Sequence, residues 1–184
     1  MDETDEDLAR RYVGGDSSAF DALFLRYQPR LRAVFARSFS DHHTVEDLVQ
    51  ATFLKLHRGR ERYDPGRPFR PWLYTIAMGL RQDELRRRYR LPPTAGEEAL
   101  VGAESEQGEP QVRLSKEPSL ADRVRAAIDG LPESQRVVIQ LHRFEQLTFE
   151  EIAAMLGASP GSVRVRASRG YGALREALAG VEAS

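Results

Sequence analysis

The chain has 184 residues and a formal net charge of −1, from 27 basic and 28 acidic side chains, and it contains no cysteine. Its length suits one ordinary domain or two small ones, and the lack of cysteine excludes disulfides and thiolate metal sites. No apolar run approaches the roughly 18 residues of a membrane span. The acidic start "MDETDEDLARR" is unlike a secretory signal. We therefore expect a cytoplasmic protein that is not inserted in a membrane.

The charges of this nearly neutral chain are segregated. Residues 58–90 hold 10 basic and 4 acidic side chains, whereas residues 91–120 hold 2 and 6. A second basic stretch, "SPGSVRVRASRG" (159–170), carries three arginines and no acid. Because basic patches attract anions, two such patches separated by an acidic stretch indicate an anionic partner that is bound at two sites.

The front part of the chain reads as a series of amphipathic helices. Apolar residues recur at helical spacing from Phe20 to Phe35, and Pro29 within that run predicts a kink or the start of a second helix. In "HHTVEDLVQATFLKLHR", Thr44 is a candidate N-cap with acids in the first turn behind it. A further helix is expected from about Pro71 to Tyr89. No alternating strand pattern appears, so the predicted fold class is all-α.

Residues 91–118 have the composition of a flexible acidic linker. They are rich in proline, glycine and glutamate and show no sustained hydrophobic period. Fully extended, such a segment reaches roughly 95 Å. The predicted organisation is therefore a front domain over 1–90, the linker over 91–118 and a rear domain over 119–184.

The rear domain carries a series of helix-boundary signals. Ser119 is expected to cap a short helix, and Pro132 to be the first residue of the next one. The stretch "TFEE" (148–151) has the spacing of a capping box. Gly157 is expected to end that helix, and Ser159 to cap the last one, with a proline as its first residue.

These signals predict a helix-turn-helix around the second basic stretch. On a helical wheel, one face of the last helix is apolar and packs inward, with Val163 and Ala167 at its centre. The opposite face is cationic, small and nearly free of acids, which suits the DNA major groove. Its candidate DNA contacts are Ser162, Arg164, Val165, Arg166, Ser168 and Arg169.

The first basic patch differs in composition from the second, because aromatic residues are mixed with its arginines in "RPFRPWLYTIAMGLRQDELRRRYR". Rings and cations together suit single-stranded nucleic acid, whose bases stack while cations follow the backbone. We expect Phe69 to belong to the core. For Trp72 a core role and a base-stacking role remain equally open.

Together these stretches resemble an extracytoplasmic-function sigma factor of bacterial RNA polymerase. The resemblance spans residues 16–90 and 119–178 and includes "EDLVQATFLKLHR", "RPFRPWLYTIA…DELRRR" and "LPESQRVVIQLHRFEQLTFEEIAAMLGASPGSVRVRASRGYGALR". It implies a region-two helical bundle and a region-four helix-turn-helix. The implied partners are core RNA polymerase, promoter DNA and an anti-sigma factor. The family opens DNA at the minus-ten element and reads the minus-thirty-five element, and no cofactor, metal or catalytic residue is implied.

The resemblance also implies residue roles in the front domain. The minus-ten element is contacted by residues of the aromatic and basic helix, here Trp72, Tyr74, Gly79, Arg81, Arg86, Arg87 and Arg88. The clamp helices of the large polymerase subunit are contacted by one helix face, here Glu46, Asp47, Gln50, Phe53 and Lys55.

The chain departs from the family pattern at one informative place. Met78 and Gly79 stand where the family usually has Arg and Asn, and that Asn position is associated with reading an extruded minus-ten base. Glycine has no side chain with which to hydrogen-bond a base. We expect base selection to differ there or to come from the loop.

Two other classes of protein would account for parts of the sequence. A helix-turn-helix repressor or activator explains the rear domain but leaves the front patch without a role. An enzyme with a metal site could use His42, His43, Glu46 and His57, but adjacent histidines point about 100° apart on a helix. We expect these histidines to be surface or hydrogen-bonded residues.

Overall fold

In a computed structural model of the protein, the described residues are 3–89 and 120–179, apart from the side chain of Ala121. All regular structure within these ranges is helical, which confirms the all-α fold class. The chain divides into two compact units, here called unit 1 (residues 3–89) and unit 2 (residues 120–179). The predicted linker 91–118 and the predicted cap Ser119 lie outside the described residues.

Unit 1 is a four-helix assembly around one apolar core. Its helices are α1 (Asp5–Val13), α2 (Ser17–Phe35), α3 (His42–Gly59) and α4 (Phe69–Tyr89), with a short 3₁₀ turn at Arg60–Arg62 between α3 and α4. Helix α2 packs on α1 and α3, and α4 packs on α3 and α1. The core includes Leu23, Leu31, Phe35, Val49, Leu56, Phe69 and Leu73.

Three boundaries in unit 1 differ from the sequence prediction. Helix α1 was not anticipated, and α2 continues through Pro29, so of the two predicted effects of this proline the start of a second helix is excluded. Asp41, not Thr44, caps α3, because its carboxylate accepts the backbone N–H groups of His43 and Thr44 at 3.2 and 3.1 Å. Thr44 therefore lies inside the first turn of α3, and its hydroxyl donates to Asp41 at 2.7 Å.

Unit 2 consists of α5 (Leu120–Asp129), α6 (Glu133–Arg143), α7 (Phe149–Leu156) and α8 (Pro160–Leu178). Helix α8 packs against the other three helices and is the centre of the unit. Pro132 precedes α6 as its N-cap and is not its first residue, a shift of one position. The core is built from Val137, Val138, Leu141, Ile152, Leu156, Val163 and Ala167.

Helices α8 and α6 approach closely at Gly170. A Cβ atom at this position would lie 2.6 Å from Cδ1 of Ile139 and 3.3 Å from Cβ of Gln135. Ile139 is itself buried, so its side chain has little room to withdraw. The absence of a side chain at Gly170 therefore sets the distance between the two helices and holds α8 in place.

We predict that Gly170→Ala destabilises unit 2 by about 1–3 kcal/mol through overpacking. Gly172→Ala is the matched control, because it lies on the same helix and a Cβ there meets nothing within 4 Å. The control should keep or raise stability by about 0.5–1 kcal/mol, since alanine is the better helix former. Thermal unfolding followed by circular dichroism compares the two variants. A Gly170→Ala protein as stable as Gly172→Ala would contradict the close approach.

Candidate nucleic-acid interface

The helix-turn-helix of unit 2 has the local structure that the sequence predicts. Thr148 and Glu151 form a reciprocal capping box at the start of α7. Gly157 ends α7 in the left-handed conformation, with φ of 63°. Ser159 caps α8 by accepting the N–H of Ser162 at 3.1 Å. These caps and the left-handed residue fix the turn between the two helices.

The outer face of α8 presents most of the predicted DNA contacts to solvent. Arg164, Val165, Ser168 and Arg169 are exposed, and Ser162 is half-buried. Val165 is 49% exposed, an apolar group in water between two cations. Small, apolar and cationic groups on one accessible helix face are the types that contact thymine methyl groups and guanine in a major groove.

Arg166 differs from Arg164 and Arg169, the other two arginines of the predicted contact set. Its side chain is half-buried, and its Nη1 atom is enclosed without a hydrogen-bond partner among the described residues. Arg164 and Arg169, by contrast, are exposed to solvent, as is Arg175 near the end of the helix.

Sequence reasoning missed an acid beside this face. Arg164 forms an ion pair with Glu150, the second residue of α7. The two residues are 14 apart in sequence, beyond the spacing of neighbours on one helix. The exposed face is thus less free of acids than the arginine stretch alone indicates.

In unit 1, the aromatic residues around the first turn of α4 form a stacked group. The rings of Trp72 and Tyr63 lie with centroids 4.8 Å apart, and Phe69 meets Trp72 edge-on at 5.9 Å. Phe69 is fully buried, as expected, whereas Trp72 is half-buried. Trp72 is therefore partly packed against rings and partly accessible to solvent, and its base-stacking role stays a prediction.

Residues seven apart on α4 lie on the same face of the helix, and this spacing separates the accessible candidate residues from the buried ones. Trp72, Gly79 and Arg86 are spaced by seven and share one helix face, and all three are half-buried. A Cβ at Gly79 would meet nothing within 4 Å. This face, here called the Trp72 face, combines a ring, an open site without a side chain, and a cation.

Two predicted minus-ten contacts lie in the core of unit 1 in this structure. Tyr74 and Arg81, also seven apart, have no exposed surface. Tyr74 packs edge-on against Tyr27, and Nε of Arg81 donates to the hydroxyl of Ser38 at 2.8 Å. Both lie on the buried side of α4, so neither can contact a ligand from this position.

The arginines at the end of α4 are compensated by acids of the same helix. Arg86 pairs with Asp83, and both Arg87 and Arg88 pair with Glu84 at 2.7 and 2.9 Å. The hydrogen bond from Arg87 lowers the pKa of Glu84 despite its partial burial, so the carboxylate remains charged. This end of α4 is therefore less positive than its sequence indicates.

Helix α3 presents a mixed surface on the other side of unit 1. Asp47, Gln50 and Lys55 are exposed, as the predicted polymerase contacts require. Glu46 is held by Arg32 of α2 through two hydrogen bonds of 2.5 and 2.9 Å, and the bond from Arg32 lowers its pKa.

Phe53, also predicted as a polymerase contact, differs from the exposed residues of that set. It is buried and packs on the ring of Phe24, with centroids 4.7 Å apart. Sequence analysis missed two exposed leucines instead: Leu54 on α3 and Leu25 on α2, which are 51% and 71% exposed. Leu54 follows Phe53 directly, so the apolar period alone does not separate an inward residue from an outward one.

A buried carboxylate ties the unexpected helix α1 to the start of α4. Asp5 accepts hydrogen bonds from Tyr27, from Arg26 at 2.5 Å and from Arg70 at 3.1 Å. Glu6 accepts the backbone N–H of Phe69 at 3.2 Å. Burial raises the pKa of Asp5, but its three hydrogen-bond donors outweigh burial and hold the pKa below its usual value.

The four histidines make ordinary contacts. His57 shares a hydrogen bond with the hydroxyl of Tyr12 at 2.8 Å, and the ring of His142 stacks on Phe149 at 4.2 Å. His42 and His43 are exposed. Within residues 3–89 and 120–179, no cluster of three potential metal ligands occurs. No helix described there is long and apolar enough to cross a bilayer.

We predict that Asp5→Asn destabilises unit 1 by about 2–4 kcal/mol at pH 7, because two arginines lose their buried counter-charge. Since the folded-state pKa of Asp5 is lowered, its contribution is present above the unfolded pKa and is lost as pH falls through the folded one. The variant should therefore lose less stability than the wild type on acidification below about pH 4. Trp72 is the one tryptophan of the chain, so its fluorescence follows the unfolding of unit 1.

Asp7→Asn is the control for this measurement. Asp7 pairs with Arg10 on the same helix, but both side chains are about half exposed. Asp7→Asn should therefore lower the free energy of unfolding of unit 1 much less than Asp5→Asn does. Equal losses in the two variants would show that burial of Asp5 plays no special part.

The comparisons with known proteins agree on one family. The model described as Sigma-70 region 2 matches residues 23–91, and the one described as Sigma-70, region 4 matches residues 121–174. The RNA polymerase sigma factor CarQ of Myxococcus xanthus is 38% identical over 94% of this chain and 96% of its own length. The RNA polymerase sigma-H factor of Pseudomonas aeruginosa is 32% identical over 96% of this chain and 94% of its own.

Solved structures give the same result. CnrH, in complex with the cytosolic domain of CnrY, superposes with a TM-score of 0.62 at 29% identity and covers 97% of this chain and 99% of its own. The sigma factor RpoE of Bartonella quintana, in complex with the anti-sigma factor NepR, gives 0.63 at 26% identity, over 86% of this chain and 96% of its own.

Proposed function

This chain belongs to the sigma-70 family of RNA polymerase sigma factors, in its extracytoplasmic-function group, and we propose that its two units divide promoter recognition between them. As a sigma factor, it binds core RNA polymerase and directs promoter-specific transcription initiation. We propose that unit 2 reads the minus-thirty-five element as duplex DNA. In the same proposal, unit 1 captures the melted minus-ten strand and docks on polymerase, in the cytoplasm where transcription occurs.

The observation that carries the proposal for unit 2 is the exposed cationic face of α8, held at the second position of a helix-turn-helix. Arg164, Val165, Ser168 and Arg169 project from it into solvent. In this motif the second helix enters the major groove. Each good bidentate contact of an arginine with guanine contributes about 1–3 kcal/mol of discrimination.

For unit 1, the Trp72 face supports capture of a single strand. A half-buried ring that is packed against Tyr63 can receive an unstacked base. Gly79, seven residues or two helical turns after Trp72, leaves open space on the same face of α4, and Arg86 lies seven residues further along. We propose that base selection here depends on the shape of the space above Gly79 and on the loop before α4, because Gly79 offers no side-chain hydrogen bond.

Polymerase docking is proposed for the polar face of α3, through Asp47, Gln50 and Lys55. The exposed Leu54 adds apolar area to α3 beside Lys55. CnrH is solved with the cytosolic domain of CnrY, and the RpoE of Bartonella quintana with the anti-sigma factor NepR. We propose that an anti-sigma factor likewise controls this chain.

The alternative of a repressor that acts without polymerase has less support. It gives no role to unit 1, which the sigma-70 region 2 model matches over residues 23–91. Sigma factors are not enzymes, and in this proposal the polymerase supplies the chemistry while the chain selects and opens the DNA.

Run-off transcription with core RNA polymerase on a library of genomic fragments tests the proposal. We expect transcripts that depend on the added chain and that share two upstream sequence elements about 70 Å, or two helical turns, apart. Asp47→Arg should reduce transcription at limiting polymerase, whereas Asp21→Arg, on the exposed side of α2, serves as the control. A chain that binds duplex DNA but gives no transcript with core polymerase would support the repressor instead.

We predict that Trp72→Ala lowers transcription from duplex promoters about tenfold, because one base loses its stacking partner. A template melted beforehand around the start site should restore most of the activity. The Trp72→Phe variant keeps a ring, so its activity on duplex promoters should lie between that of Trp72→Ala and that of the wild type. If the pre-melted template gives no rescue while the variant remains folded, Trp72 has no part in strand opening.

A further inference from the structure

Arg164 and Arg169, the two exposed arginines of the predicted DNA-contact set, are in different electrostatic situations. Nη2 of Arg164 donates to a carboxylate oxygen of Glu150, which projects from the first turn of α7. Arg169 forms no ion pair or hydrogen bond with any residue of the described ranges. One cation of the DNA-facing helix is therefore already paired within the protein, and the other is open to an outside anion.

The pair joins the two helices of the helix-turn-helix on its solvent side. The side chains of Arg164 and Glu150 are 57% and 60% exposed. An ion pair this accessible adds little to folding stability. It does restrict the rotamers of a long side chain, so its main consequence is to fix where the guanidinium points.

We propose that Glu150 is a positioning residue that directs Arg164 to a base edge in the major groove and withholds it from the phosphate backbone. This inference rests on the proposed reading of the minus-thirty-five element by unit 2. Guanidinium has five N–H donors, so one bond to Glu150 leaves donors for a bidentate contact with guanine. The carboxylate cancels the charge of Arg164 toward phosphates, and Arg169 supplies uncompensated charge to the backbone.

The roles of the two arginines can be separated by their salt dependence. A cation that neutralises a phosphate adds about 0.9 to the slope of log K against log salt, whereas a base contact adds discrimination without that term. Arg169→Ala should therefore reduce the slope by about 0.9. Arg164→Ala should leave the slope nearly unchanged and abolish discrimination at one base pair.

Glu150→Gln is the decisive variant, because it keeps the size of the side chain and removes its charge. We expect tighter binding to duplexes of random sequence and a slope steeper by about 0.9, since Arg164 becomes available to a phosphate. Discrimination at one base pair should fall about tenfold. Glu176→Gln is the matched control: it removes one exposed acid from α8, about 18 Å along the helix from Arg164.

The experiment uses the full chain and 30-base-pair duplexes with a random central block. Sequences enriched by the wild type are determined first, and relative affinities of single-base variants are then measured for each protein at several salt concentrations. Thermal unfolding of every variant is recorded alongside. In an Arg164→Ala background, Glu150→Gln should change neither the discrimination nor the slope, because the positioned side chain is absent.

The outcomes distinguish this inference from the function on which it rests. If the wild type enriches no sequence, the proposed role of unit 2 fails and the inference fails with it. If the wild type enriches a sequence but Glu150→Gln matches Glu176→Gln in slope and discrimination, the role of unit 2 stands and the inference is overturned. Arg164→Lys, which leaves Glu150 intact, must lose discrimination at the same base pair; a wild-type profile for this variant also overturns it.

Discussion

Ion pairing between arginines and carboxylates governs where positive charge is available on this chain. The chain holds nearly equal numbers of basic and acidic side chains, so an arginine acts on an external anion only where the fold keeps acids away from it. Arg169 is such a case among the described residues. Arg26 and Arg70 are the opposite case, because both are committed to the buried carboxylate of Asp5. The same chemistry thus serves folding at one place and recognition at another.

Between these extremes lie arginines whose partners are exposed. Arg87 and Arg88 share Glu84, and Arg164 is paired with Glu150. Exposed pairs contribute little to folding stability, but each places a negative charge beside its arginine. They therefore moderate nonspecific attraction to nucleic acid without removing the ability to bind it, which suits a protein that must leave most DNA and remain on promoters.

Close packing gives these charges their positions. Helix α8 is held by α6 at Gly170, and its start is fixed by Ser159 and by the left-handed Gly157. Helix α4 is held at its start by α1, which brings Glu6 to the backbone of Phe69. Because α4 and α8 are both anchored by their buried sides, their outer faces can present side chains in defined directions.

The sequence by itself determined the all-α fold class, the capping box, the turn at Gly157 and the outer face of α8. These features depend on neighbours within about four residues, where spacing and residue type decide the structure. It also carried the family resemblance. Only the tertiary structure decided that Tyr74, Arg81 and Phe53 turn inward, since an aromatic or basic residue on a helix is compatible with either side until the packing partner is known. The pairing of Glu150 with Arg164 and the docking of α1 through Asp5 were likewise decided there, because both join residues far apart in sequence, and local patterns carry no information on such contacts.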